Sequence, residues 1–167
     1  MWNTRFQRFA IDLIKNGNNP QVAGVSEWLD KRSENELSGF VVEFATGATA
    51  HFHTPMMLAP GAKHGGSEEI VEGEPVAPMA FPDGLGSGGK IKLADVERWF
   101  MAVLASSGNR EISGLEAWSQ REDARPRHAG VTVSFHSGGK VFAAVAYLLR
   151  PGMSTDEQTY YEPLEVA

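Results

Sequence analysis

The segment FVVEFATGATAHFHT, residues 40–54, places alternating apolar side chains on both sides of a glycine-containing turn. Much later in the chain, the segment VTVSFHSGGKVFAAV, residues 131–145, repeats this pattern around Ser-Gly-Gly. Apolar residues at every second position on both sides of a glycine are typical of a β-hairpin. The sequence therefore predicts two β-hairpins, and the segments around them decide how the apolar faces of these hairpins are covered.

The apolar face of each hairpin predicts its turn. A three-residue loop Thr46-Gly47-Ala48 places Phe44 opposite Ala50, whereas the two-residue loop Thr46-Gly47 divides the apolar residues between both faces. The longer loop is therefore favoured, with glycine supplying the positive φ that it needs. The face gathered in this way contains Phe40, Val42, Phe44, Ala50 and Phe52 in the first hairpin, and Val131, Val133, Phe135, Val141, Ala143, Val145 and Tyr147 in the second, where the loop is Ser137-Gly138-Gly139.

An amphipathic helix precedes each hairpin. Apolar residues recur at three- and four-residue spacing in residues 3–15 and again in residues 93–104, which is the period of a helix with one buried face. Glycine follows each pattern and ends the helix. A short segment then leads to a tryptophan, Trp28 in the first half and Trp118 in the second, and this segment is predicted to be helical.

The two halves align with each other when one residue is inserted. The matched pairs include Phe9 with Trp99, Leu13 with Val103, Asn19 with Asn109, Gly24 with Gly114, Trp28 with Trp118, and Phe44 with Phe135. This agreement in order and spacing favours an internal duplication over two unrelated helix-then-hairpin units. The predicted fold class is α+β: two tandem pseudo-repeats, each a helix, a short helical segment and a β-hairpin, sharing one antiparallel sheet with the helices packed on one face.

Composition divides the chain into four segments that together form one compact domain. Residues 1–54 are the first repeat and residues 90–150 the second. Between them, residues 55–89 form a connector rich in proline, glycine and glutamate, which is predicted to run extended over the surface. Residues 151–167 form an acidic tail.

Charge and composition exclude several classes of function. The chain carries 21 acidic and 15 basic residues, and its net charge of −6 argues against a general affinity for nucleic acid or anionic membrane. The absence of cysteine excludes disulfides, zinc–thiolate sites and cysteine nucleophiles. The sequence shows neither a secretory signal nor an apolar run long enough for a membrane span. The expected location is the cytoplasm.

Glu43, His51 and His53 are candidate metal ligands. The predicted register places Glu43 across from His51, with His53 on the same outer face of the hairpin. Two histidines and a carboxylate are a ligand set that zinc or non-haem iron can use. The alternative is a solvated surface, which the second hairpin favours because it has Phe142 and Ala144 in place of the histidines.

A second candidate site is basic. Arg121, Arg125, Arg127 and Lys140 lie on or near the second hairpin and form a candidate binding site for an anionic partner such as nucleic acid. Acidic neighbours and the lack of interleaved aromatic residues favour a solvated loop instead.

No motif in the sequence predicts catalysis or a cofactor. The segment GLGSGGK, residues 84–90, has glycines at the spacing of a dinucleotide-binding loop, but prolines stand where the preceding strand is required. The chain has no G-x-S-x-G motif and no arrangement of Ser, His and Asp typical of a hydrolase. The sequence therefore predicts neither catalytic residues nor a cofactor, and it leaves enzymatic activity open while favouring none.

The opening MWNTRFQRFAIDLI and the phrase GVTVSFHSGGKVF, in a cysteine-free chain rich in Ala, Gly and Val, resemble small uncharacterised proteins carried by phages and integrating plasmids of high-GC bacteria. This resemblance implies a role in a virion, in plasmid maintenance or in contact with a host, and it implies no activity or site residue. The predicted function is a non-enzymatic protein-interaction or assembly module that binds another protein or its own copies. The alternatives are a metal-dependent enzyme or sensor and, more weakly, a nucleic-acid-binding protein.

Overall fold

The structure is a computed structural model that describes residues 1–30, 37–85, 90–125 and 128–155. These residues form an α+β fold of two α-helices and a seven-stranded antiparallel sheet. The elements are α1 (Asn3–Asn16), β1 (Val22–Asp30), β2 (Leu37–Phe44), β3 (Thr49–His53), β4 (Met56–Met57), α2 (Leu93–Ser106), β5 (Ile112–Ala117), β6 (Gly130–Phe135) and β7 (Lys140–Leu149). The strand order is β1-β2-β3-β7-β6-β5, and β4 pairs with β7.

Both helices pack on one face of the sheet, the inner face, as the sequence predicts. The ring centroid of Phe100 in α2 lies 5.6 Å from that of Phe40 and 4.9 Å from that of Phe52. The ring centroid of Phe6 in α1 lies 6.5 Å from that of Phe100 and 6.4 Å from that of Phe135, and both pairs have edge-to-face geometry. All of these side chains belong to one hydrophobic cluster that joins residues from both halves of the chain. None of the helices in the described part of the chain is long and apolar enough to span a membrane.

The predicted hairpin loops lie one residue away from the observed ones. The Phe44 N–H donates to the Ala48 carbonyl at 2.9 Å, so the first loop is Ala45-Thr46-Gly47. The second loop is His136-Ser137-Gly138 by the same pattern of bonds. In both loops glycine occupies the third position, with φ of 82° at Gly47 and 88° at Gly138, which is where this turn needs a left-handed residue. The observed cross-strand pairs differ from the predicted pairs by two residues. Because side chains alternate between the two faces of a strand, a shift of two residues leaves the predicted inner face unchanged.

Tyr147 is the exception in that face. His51 pairs with Tyr147 while Phe52 pairs with Val145, so Ala146 is an extra residue in β7. Such a β-bulge turns the following side chain to the opposite face. Tyr147 therefore lies on the outer face beside His51, and the prediction that it shares a face with Val145 is wrong.

The predicted short helical segments are also wrong, because both are strands. Residues 22–30 form β1, which pairs along its length with β2. Residues 112–117 form β5, which pairs with β6. Pairing with a neighbouring strand satisfies the backbone of these segments, and periodicity within the segment cannot show such a partner. Trp28 lies within β1, whereas Trp118 begins a 3₁₀ turn (Trp118–Gln120) after β5.

The acidic connector is bound to the helices and strands at several points. Glu68 accepts hydrogen bonds from the Trp2 N–H at 2.6 Å and from the Arg5 guanidinium at 2.7 Å. The Gly73 N–H donates to the Arg110 carbonyl at 2.9 Å. These contacts hold the connector across the start of α1 and the chain that leads into β5.

Candidate interaction surfaces

The edge of the sheet at β1 has no strand beside it in the described part of the chain. In an antiparallel pair, alternate residues direct their N–H and C=O groups towards the partner strand. The backbone N–H of Phe44 bonds to the chain that leads into β3, so the backbone groups of Phe44 point towards β3. The backbone groups of its neighbour Glu43 therefore point towards β1, where Glu43 pairs with Gly24. Gly24, Ser26 and Trp28 consequently direct their backbone groups to β2.

The backbone groups of Val25, Glu27 and Leu29 therefore point away from the sheet. Proteins usually protect such an edge with proline, lysine or a very short strand. β1 has nine residues and contains neither proline nor lysine. Leu29 is 48% exposed, and Glu27 is the charged residue of this outward-pointing set. The β1 edge is thus a long and weakly protected template for another strand.

A cleft of about 360 Å³ runs along the β1 edge beneath α1. It is lined by Thr4, Gln7, Arg8, Glu27, Trp28, Leu29, Ser38 and Gly39. The cleft combines the exposed Leu29 with one base and one acid, so a strand added at this edge has both apolar and charged side chains to contact.

The opposite edge, at β5, is better protected. β5 has six residues, and Glu116 on it forms an ion pair with Arg121 at 2.6 Å. Arg121 also lies 5.4 Å from the centre of the Trp118 ring. The chain leaves this edge through the 3₁₀ turn at Trp118, so β5 offers a shorter template than β1.

An aromatic cluster covers the outer face next to β1. The Trp28 ring centroid lies 5.1 Å from the ring centroid of His51 and 5.9 Å from that of Tyr147, and both contacts are edge-to-face. The Tyr147 hydroxyl donates to Asp30 at 3.1 Å. His51 is 9% exposed, and burial lowers its pKa to about 4 although the nearby Asp30 carboxylate acts in the opposite direction. The cluster fixes Trp28 and with it the conformation of β1.

The predicted metal ligands are not brought together as the sequence suggested. Glu43 lies opposite Thr49 instead of His51. His51 Nε2 is 3.3 Å from the Thr49 hydroxyl, and His53 Nδ1 is 3.0 Å from the Ser38 carbonyl. No group of three or more His, Asp or Glu residues within the described ranges could hold a metal ion. Metal binding by Glu43, His51 and His53 stays a prediction from sequence.

The predicted basic site is partly described. Arg121 is occupied by its ion pair with Glu116 and by a hydrogen bond of 2.6 Å to the Thr132 hydroxyl. Arg125 is exposed, and Lys140 begins β7 opposite Ser134. Arg127 lies outside the described residues. Anion binding at this site also stays a prediction.

A larger cavity of about 590 Å³ lies between the start of α1, β4 and the connector. Trp2, Met56 and Met57 contribute apolar walls, and Glu68 is one of its polar residues. Glu68 is already bound by Arg5 and by the Trp2 N–H, so its carboxylate is engaged within the protein.

Sequence reasoning missed the β1 edge because it treated residues 22–28 as helical. The available signal was the pair of β-branched residues Val22 and Val25 close to Trp28, a composition that favours strands. Comparison of the chain with protein-family models, curated proteins and solved structures finds no match.

Proposed function

We propose that this protein is a non-enzymatic assembly module that pairs its β1 edge with a strand of a partner. The observation that carries the proposal is the row of outward-pointing backbone groups at Val25, Glu27 and Leu29, on a nine-residue strand without proline or lysine. Strand addition at such an edge gains main-chain hydrogen bonds, and side-chain contacts along the strand supply specificity. An assembly role also agrees with the resemblance to proteins of phages and integrating plasmids.

A second copy of this chain is the partner whose chemistry fits best. In an antiparallel pair of two β1 strands with Ser26 on the two-fold axis, Val25 of one copy lies opposite Glu27 of the other, so the outward backbone groups face each other. The same register sets Trp28 opposite Gly24, and an aromatic ring over an edge glycine is a favourable cross-strand contact. A register centred on Glu27 would instead oppose two like charges.

The absence of cysteine from the chain allows a direct test of this register. In the proposed pair the two Ser26 residues form a non-hydrogen-bonded pair, whose Cα separation of about 4.5 Å lies within the range that a disulfide spans. Ser26→Cys should therefore form a covalent dimer under mild oxidation, seen on a non-reducing gel. Glu27→Cys is the matched control and should stay monomeric on that gel, because its side chain points to the other face and lies opposite Val25.

Light scattering of the unmodified full chain distinguishes a failure of self-assembly from a failure of the proposed β1 register. A strict monomer at all concentrations refutes self-assembly. A dimer that neither cysteine variant traps, or that both variants trap equally, refutes the β1 register and assigns the interface to another surface.

We further propose that the two halves are tandem repeats, each a helix followed by three strands. Several local features support this. Strand pairing shifts between Val22 and Gly24 in β1, and it shifts between Ile112 and Gly114 in β5. The Asn19 side chain accepts the Gln21 N–H at 2.9 Å, and the matched Asn109 accepts the Glu111 N–H at 2.8 Å. Unrelated units have no reason to share both a bulge and a turn at aligned positions.

A further inference from the structure

A separate cavity of about 290 Å³ lies between the start of α2 and the end of β7. The residues before α2 form one wall, and the chain leaving β7 forms the other. The lining residues are Ala48, Lys90, Ile91, Lys92, Leu148, Leu149, Arg150 and Pro151. The cavity is distant in the strand order from the β1 edge, so it is independent of the proposed assembly surface.

Among the described residues, the charged side chains that line this cavity all have the same sign. Lys90, Lys92 and Arg150 are exposed, no carboxylate of a described residue lines the cavity with them, and none of the three forms an ion pair with a described residue. An anion bound in this cavity would be attracted by all three cations.

Other basic residues of the protein show the contrast. Arg5 is paired with Glu68 and Glu111, Arg98 with Asp95, and Arg121 with Glu116. For Lys90, Lys92 and Arg150, the described residues provide no such carboxylate partner.

The backbone holds Arg150 at the rim of the cavity. The Met153 N–H donates to the Arg150 carbonyl at 3.1 Å, and Gly152 has φ of 80°, so residues 150–153 form a tight turn with proline and glycine at its centre. Pro151 in turn packs against the hairpin loop at Gly47, where an added side chain would press on the proline ring. This arrangement limits how far Arg150 can move from the two lysines.

The remaining lining residues decide what kind of anion fits. Ile91, Leu148, Leu149, Ala48 and Pro151 provide an apolar wall beside the three cations. We propose that this cavity binds a small organic anion, with a phosphate or carboxylate head at Lys90, Lys92 and Arg150 and an apolar body against Ile91 and Leu148. Guanidinium and ammonium groups both bind such oxyanions, and the arginine does so with two parallel hydrogen bonds.

The test is calorimetric titration of the full chain with four probes at low salt. Phenyl phosphate and 3-phenylpropionate carry both the head and the body, inorganic phosphate carries only the head, and benzyl alcohol carries only the body. We expect at least one aromatic anion to bind more tightly than inorganic phosphate, benzyl alcohol to give no binding, and added salt to weaken the binding of the anions. The better of the two aromatic anions identifies the preferred head.

Variants then assign the binding to this cavity. Arg150→Gln and the double change Lys90→Gln with Lys92→Gln should each weaken binding of the aromatic anion by about tenfold, since each removes charged hydrogen bonds. Lys63→Gln is the matched control, because Lys63 is also exposed but does not line the cavity. Equal loss in the control, unchanged binding in both cavity variants, or no binding of any anion by the parent protein would overturn the proposal. The changed residues are exposed, and an unchanged melting curve verifies that each variant folds.

Discussion

At the scale of single residues, His51 links the stability of the fold to pH. Its pKa in the folded protein is about 4, against an ordinary value of 6.5, because burial disfavours the charged imidazole. The unfolded chain therefore takes up a proton near pH 6.5, whereas the folded chain does so only near pH 4. The free energy of unfolding contributed by a neutral His51 is fully present above pH 6.5 and is lost as the pH falls towards 4.

A His51→Phe variant tests this linkage. Phenylalanine keeps a ring against Trp28 and Tyr147 but cannot be protonated, so the variant should lose less stability between pH 6.5 and 4 than the parent. A pKa difference of this size corresponds to at most about 3 kcal/mol. Urea unfolding at a series of pH values measures the difference, and parallel pH profiles for both proteins would show that His51 is not responsible.

Glu97 shows which residues sequence cannot assign. It sits in the middle of α2 and is fully buried, where its carboxylate accepts the Gly130 N–H at 2.7 Å and the Ser119 N–H at 3.3 Å. Within α2 its spacing gives no sign of burial, because its partners belong to the turn after β5 and to the start of β6. A buried carboxylate of this kind is explained only by the backbone groups that it satisfies, and these come together only in the folded sheet.

At the scale of elements, the outward direction of the Glu27 N–H makes β1 testable by proline. Glu27→Pro removes an N–H that does not bond to β2 and blocks the addition of a strand to the edge. The variant should therefore remain folded while losing self-association in light scattering. Glu27→Ala is the control, since it removes the charge but keeps the N–H, and it should assemble at least as well as the parent. Assembly of the proline variant at parental strength would exclude the β1 edge as the interface.

The elements that sequence predicted correctly are those whose signal is local. Both helices and both hairpins follow from apolar periodicity, because one buried face imposes it over many residues. β1 and β5 were missed because their stability comes from pairing with β2 and β6. The bulge at Ala146 was missed for a related reason, since it is defined by the register between β3 and β7. Pairing between strands leaves no periodic pattern within either strand.

The candidate sites differ in the same respect: some were chosen from local sequence, and one is formed only by the folded chain. The histidines and arginines singled out from sequence were chosen by residue type and local spacing, and one shift in hairpin register was enough to place Glu43 opposite Thr49. Lys90 and Arg150 are far apart in the chain and become neighbours only because α2 begins where β7 ends. Composition gave no reason to connect them.

At the scale of the whole molecule, the proposed tandem repeat joins the two halves through β3 and β7 at the centre of the sheet. Each half supplies one helix and three strands, and neither half alone contains the complete hydrophobic cluster. Equivalent positions in the two halves should therefore tolerate the same exchanges. The turn after each helix offers such a pair, because Asn18 has φ of 43° and the matched Gly108 has φ of 62°.

Both positions lie in the left-handed region, which glycine and asparagine adopt far more readily than β-branched residues. Asn18→Gly and Gly108→Asn exchange the two residues between the halves, and each should change the free energy of unfolding by less than about 1 kcal/mol. Asn18→Val and Gly108→Val should each cost more than the matching exchange, because valine is strained at positive φ. Urea unfolding of the four variants measures these costs. If either exchange destabilises the protein as much as valine does, the two turns are not equivalent and the repeat loses one of its main supports.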